Sequence, residues 1–172
     1  MLFRSEYTKQ ELSEWIIEKA EQARSPDRSR KIISSFDMRG RATAMVGRLY
    51  FFKYDAKGKY VLPKFDRFPL AFPLKRYGDG FLGLNLHYLS GGQRSAFIEM
   101  MLEFKNNKYM DERTRLLLSY DKLVASSDTE SLTRQCVKRY LFSHVRSKFI
   151  EIYPSEYDKA IALPVEEWVY KQ

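Results

Sequence analysis

The chain has 172 residues, 44 % hydrophobic and 15 % aromatic, which is enough for a core and excludes wholesale disorder. Its formal net charge of +8 favours polyanionic partners without requiring one. The single cysteine, Cys136, excludes an intrachain disulfide framework and fits a reducing compartment; no run approaches the roughly 18 apolar residues of a membrane span, and the N-terminus lacks an apolar segment of signal length, so neither membrane association nor secretion is expected.

In chain order, Thr8 and Glu11 form a capping-box pair, and Leu12, Trp15, Ile16 and Ala20 follow at helical spacing. The spacing predicts a helix over residues 9–24, ended by Ser25-Pro26-Asp27, with a second short helix to Phe36. The densest aromatic and apolar stretch follows. Leu49 to Tyr54 reads as a strand, Asp55-Ala56-Lys57-Gly58 as a turn, and residues 59–62 as a return to extended chain. Residues 68–77 form a third run, Gly78-Asp79-Gly80 a tight turn, and residues 81–88 a fourth run. Short strands with tight turns, and prolines on irregular or edge positions, predict a small SH3-like curled β-sheet or barrel.

Ser90-Gly91-Gly92 breaks this region. Ala96, Phe97, Met100, Met101 and Phe104 predict a helix over 93–105, and Leu116, Leu117, Tyr120 and Leu123 another over 112–124. A last helix is expected over 132–146, with Cys136 and Tyr140 facing in and Arg134, Lys138 and Arg139 facing out. Residues 148–153 alternate as a strand, and residues 157–163 are a strand or a turn of helix before Pro164. The expected class is α+β in a single domain over 1–172. Its parts are an N-terminal helical segment (1–36), a β core (42–90 and 147–164) and a helical insertion (91–146).

Charge is unevenly distributed. Between Arg28 and Arg76 thirteen basic residues face three acids, whereas the segment from Glu151 onward is net acidic. A basic field concentrated on one part of the fold is a stronger sign of a polyanion surface than net charge is. Arg28, Arg30, Lys31, Arg39 and Arg41 are the candidate DNA-phosphate contacts, with Lys53, Lys57, Lys59 and Lys75 on the rim of the sheet. The rings interleaved with them, Tyr50, Phe52, Tyr54, Tyr60, Phe65 and Phe68, are either a stacking platform for bases or the core beneath a solvated rim.

Signatures of catalysis are missing. His87 and His144 with one cysteine do not make a spaced metal site, and there is no Walker phosphate loop, dinucleotide glycine fingerprint or GxSxG elbow. His87 lies in an apolar run and reads as a hydrogen-bonded core or rim histidine. Cys136 reads as a buried thiol. Glu99 and Glu103 share a helix face at i and i+4 and, with Asp55, are the carboxylates a metal-dependent nuclease would need. They read more simply as solvated acids. Asp66 is expected to fix a turn. No catalytic residue, metal or cofactor is expected.

Four motifs look familiar: Tyr-Asp-x-Lys at residues 54–57, Leu-Pro-x-x-Asp-x-Phe-Pro-Leu at 62–70, Asp-Gly-Phe-x-Gly-x-Asn-x-His-Tyr at 79–88, and Leu-Pro-Val-Glu at 163–166. With their surroundings they cover somewhat under half the chain, and together they resemble the DNA end protector family of small virion proteins from contractile-tailed bacteriophages. The resemblance implies a non-enzymatic protein that binds the ends of packaged double-stranded DNA and shields them from host exonuclease. Its expected places are the virion and, during assembly and after injection, the host cytoplasm. Its expected partners are DNA ends, other virion proteins and the host exonuclease. The alternative is a structural neck, tail or baseplate component that docks on other virion proteins without touching DNA, with Phe97, Met101 and Phe104 as anchors.

Overall fold

Gly78 and Asp79 turn the chain between two strands that form the middle of the fold. In the computed structural model of the protein, residues 40–103, 111, 113–118, 121, 135–162 and 165–171 are described. The strands are β1 (Gly40–Arg41), β2 (Leu49–Phe51), β3 (Lys64–Asp66), β4 (Leu70–Tyr77), β5 (Gly80–Asn85), β6 (Val137–Leu141), β7 (Phe149–Ile152) and β8 (Trp168–Tyr170). The helices are α1 (Gly91–Glu103) and the single turn α2 (Tyr157–Ala160), with short 3₁₀ turns at Leu86–Tyr88, Phe142–His144 and Pro154–Glu156.

Six strands form one antiparallel sheet in the order β1-β7-β2-β4-β5-β6, and β3 pairs with β8 in a separate two-stranded ribbon. The sheet is not closed into the barrel expected as one alternative: β1 and β6 are its edges. The mixed helix-and-sheet class agrees with the sequence reading.

Both faces of the sheet are buried, and alternation along the strands sorts the side chains between them. Leu49 and Phe51 of β2, Leu70, Phe72 and Leu74 of β4 and Ile150 and Ile152 of β7 face α1 and α2. Phe72 meets the Phe97 ring of α1 at 5.7 Å and the Tyr157 ring of α2 at 5.5 Å, both edge-on. Tyr50, Ala71, Phe81, Tyr140 and Phe149 point the other way, into an aromatic cluster with Phe52, Tyr54 and Phe65. There Phe52 packs edge-on against Phe149 (5.0 Å) and Tyr140 (5.4 Å), arrangements that favour ring quadrupoles. The rings offered as a stacking platform are therefore mostly core: only Tyr60 is exposed.

Local chemistry explains several boundaries. Ser90 Oγ accepts the Gln93 N–H (3.3 Å) while Gln93 Oε1 accepts the Ser90 N–H (3.0 Å), a reciprocal cap that starts α1 two residues earlier than the hydrophobic spacing suggests. Pro73, which has no N–H to give the ladder, sits where the β4–β5 register shifts between Pro73 and Lys75. Gly47 turns the chain into β2 with φ of 88°, a conformation that a Cβ would disfavour.

Three further expectations are corrected. The helix expected over 132–146 gives way to β6, because β5 offers an open edge and Val137–Leu141 pairs along it from Leu84 to Gly80. Tyr140 is buried as expected, but as a strand residue in the aromatic cluster. Residues 57–61 form a turn where extended chain was expected over 59–62. Of residues 157–163, which fit either a strand or a turn of helix, the first four form α2. Residues 113–118 are helical, within the range expected. Phe97 and Met101 are core residues, 0 % and 6 % exposed, and cannot anchor a docked protein. Phe104 and the helices expected over 9–24 and 27–36 fall outside the described residues.

Candidate nucleic-acid interface

The connection between β6 and β7 builds a basic rim. The Lys53 N–H donates to Ser147 Oγ (2.8 Å), and the Arg146 N–H donates to the Lys53 carbonyl (2.8 Å). The Asp55 N–H donates to the His144 carbonyl (3.0 Å), and His144 Nδ1 returns a proton to the Asp55 carbonyl at 2.8 Å. These bonds lace residues 53–55 to 144–147 and hold Lys53, Arg146 and Lys148 along one margin. At its other end, the Phe142 N–H donates to the Asp79 carbonyl (2.9 Å), so the tip of the β4–β5 hairpin joins the same margin.

The hairpin tip adds Lys75, Arg76 and Tyr77, all exposed. The Arg139 guanidinium lies 3.8 Å from the Tyr77 ring centre and pairs with Asp79, while Lys75 Nζ is 5.3 Å from the same ring. Arg76 covers Phe142 at 5.6 Å. Among the described residues Lys53, Lys57, Lys75, Arg76, Arg146 and Lys148 form no ion pair with an acid, which leaves six cations available to a polyanion. Arrayed cations without local acids bind phosphate groups and release counterions.

Of the residues expected from the sequence, Lys53, Lys57 and Lys75 lie on this rim. Arg28, Arg30, Lys31 and Arg39 lie outside the described residues. Lys59 is engaged, with its Nζ 3.2 Å from both oxygens of Asp55. Arg41 on edge strand β1 is also engaged: its Nε is 3.5 Å from Glu151 Oε2 and its Nη2 donates to Tyr153 Oη. Arg48 Nη1 holds the other oxygen of Glu151 at 3.2 Å. Sequence reasoning did not select Arg76, Arg139, Arg146 and Lys148. The weak alternation of Val137 to Leu141 was the signal that would have put Arg139 within a strand and Arg146 beyond its end.

No group of three His, Cys, Asp or Glu side chains among the described residues could hold a metal ion. Glu99 and Glu103 are exposed, and Asp55 is held by Lys59. His87 is the hydrogen-bonded core histidine expected, and Cys136 is buried, its thiol pushed up to about 11 by burial. No helix among the described residues is long and apolar enough to cross a membrane.

No curated protein and no solved structure matches the chain. The sequence model of one protein family, described as phage T4 terminal DNA protecting protein, matches residues 6–172, including the N-terminal region that the four motifs do not reach. A match over nearly the whole length identifies the chain as a member of the phage T4 terminal DNA protecting protein family.

Proposed function

We propose that this protein binds the ends of packaged double-stranded DNA and shields them from host exonuclease without catalysing a reaction. The observation that carries the reading is the basic rim of Lys53, Lys57, Lys75, Arg76, Arg146 and Lys148, unpaired with acids among the described residues, on a member of a terminal DNA protecting family. A rim of cations binds the phosphates flanking a terminus, and a folded body over the last base pairs denies an exonuclease its starting point. Such a mechanism needs no cofactor, metal or nucleophile. The same reading places the protein in the phage particle beside other virion proteins, and in the host cytoplasm during assembly and after injection.

An exonuclease challenge tests it. Linear duplex DNA mixed with the protein is expected to survive a processive end-dependent exonuclease. A nicked circle, opened by an enzyme that starts at nicks, should remain sensitive. Unimpeded digestion of the linear DNA at low salt and excess protein would reject the reading. Equal protection of both substrates would mean general coating rather than end binding.

A further inference from the structure

Phosphates repeat identically along a duplex, so the basic rim alone cannot tell an end from the interior. What an end uniquely offers is the open face of its last base pair, a flat apolar surface on which an aromatic ring can stack. A protein that recognises ends therefore needs an exposed ring beside its cations.

Among the described residues Tyr60, Tyr170 and Tyr77 are exposed rings; Tyr77 is covered by Arg139, and Tyr60, on one turn, is the most exposed. Tyr60 is 78 % exposed and Val61 75 %, and Leu62 next to them is also exposed. The turn is well braced. The Lys59 N–H donates to the Ala56 carbonyl (3.2 Å), and the N–H groups of Val61 and Leu62 both donate to the Gly58 carbonyl (2.9 Å each). Ala56 at its base is buried, and Pro63 at its far end accepts the Lys171 N–H (3.0 Å). Tyr170, itself exposed, pairs with Lys64 just beyond the turn. Lys57 lies in the turn and Lys64 follows it, Lys171 is tied to its far end through Pro63, and Lys59 is held by Asp55 just before the turn, with its Nζ 5.5 Å from the Tyr60 ring centre. Through Asp55 and its two bonds to His144 the turn continues directly into the basic rim.

We infer that the 57–62 turn is the element that recognises a DNA end, with the Tyr60 ring stacking on the exposed terminal base pair and the flanking lysines on its last phosphates. This inference rests on the end-shielding reading and adds the determinant that separates ends from duplex. A polyanion with an open apolar face matches the surface in both charge and polarity, whereas continuous duplex would leave Tyr60 and Val61 against water and phosphate.

The test compares the full-length protein on a short blunt duplex and on the same duplex closed at both ends by hairpin loops, at one fixed salt concentration. The wild type is expected to prefer the open duplex. Tyr60→Ala should weaken binding to the open duplex by about tenfold, the loss of one stacked base, and leave binding to the closed duplex unchanged. Tyr60→Phe should keep the preference. A 2-aminopurine at the terminal position should change fluorescence on binding the wild type and Tyr60→Phe, but not Tyr60→Ala. Absence of any preference in the wild type would remove both the end-shielding reading and this inference. A preference that survives Tyr60→Ala would overturn the inference alone, because ends would then be recognised elsewhere. Unchanged end preference with lost exonuclease protection would also overturn it, assigning the turn to a protein partner.

Discussion

His87 Nδ1 lies 2.6 Å from Asp66 Oδ2, and both side chains are 1 % exposed. The pair belongs to a larger knot. Asp66 Oδ1 accepts the Phe68 N–H, which fixes the turn expected from the sequence, and Oδ2 also accepts from Asn85 Nδ2. Asn85 Oδ1 accepts the N–H groups of Leu70 and His87. The Tyr140 hydroxyl bonds the Asn85 side chain, and the Tyr88 hydroxyl bonds the Asp66 backbone. One carboxylate thus ties β3 to β5, and Asn85 ties β5 to β4 and β6. Asp66→Ala leaves several buried donors without an acceptor and is expected to cost about 3 kcal/mol, read by urea unfolding. A cost below about 0.5 kcal/mol would show that the knot is not structural.

Glycine packing between β5 and β6 gives a second prediction. A Cβ on Gly80 would lie 1.9 Å from the Tyr140 carbonyl oxygen, which is backbone and cannot swing aside. Gly80→Ala is expected to lower stability by about 1–3 kcal/mol or more as the two strands are pushed apart. Gly78, two residues earlier, has nothing within 4 Å of such an atom, and Gly78→Ala should change stability by no more than about 0.5 kcal/mol. Equal melting temperatures for the two variants would contradict the packing.

Glu151 supplies a third. Its side chain is 5 % exposed and is held by Arg48 and Arg41. Arg48→Ala leaves a buried carboxylate short of a partner and should cost about 1–3 kcal/mol. Adding Glu151→Gln should recover part of that loss, because the neutral amide is cheaper to bury. Failure of the second change to recover stability would assign the Arg48 effect to packing of its stem rather than to charge.

A fourth concerns salt. Replacing Lys53, Arg146 and Lys148 together with alanine should reduce the slope of log affinity for duplex DNA against log salt by about 2 to 3. Lys59→Ala should reduce it by less than about one, because that ammonium already sits on Asp55. An unchanged slope in the triple variant would take the 146–148 segment out of the footprint.

Alkaline pH gives a fifth. Burial pushes the Cys136 thiol up from 9.0 to about 11 and the Tyr88 hydroxyl up from 10.0 to about 12, and it raises Tyr54 and Tyr140 as well. In the unfolded chain these groups ionise first, so the folded state holds the extra protons. The stability they lend is fully present below pH 9 and is lost as pH rises through the folded values. Urea midpoints are expected to fall progressively above pH 9, with a shallower decline in Tyr88→Phe and Cys136→Ala. A flat profile to pH 11 would contradict this.

The central hairpin was legible because Gly78-Asp79-Gly80 marks its turn and apolar runs flank it. Strand β7 was legible from its alternation. Strand β6 was not: Cys136 and Tyr140 are four residues apart and suit a helix face equally well. The decision is made non-locally, by the open edge of β5 and by two glycines, Gly80 and Gly83, that let Tyr140 lie flat against it. The same misreading removed Arg139 and Arg146 from the candidate site. Which cations were already neutralised could not be read either. Arg41 and Lys59 resemble Lys53 and Lys57 in sequence, and only the fold brings Glu151 to Arg41 and sets the Asp55 carboxylate against Lys59.

The strand order has a consequence for synthesis. β7 lies between β1 and β2, so β1 joins the sheet only through a segment made about a hundred residues later, and β3 waits for β8. A nascent chain released through β5 can pair β2, β4 and β5 but leaves both edges of that sheet open. High contact order of this kind slows folding and delays it until translation is nearly complete. A ribosome stalled before residue 149 would carry a chain that can pair β2, β4, β5 and β6 but cannot place β1 and leaves the β2 edge open.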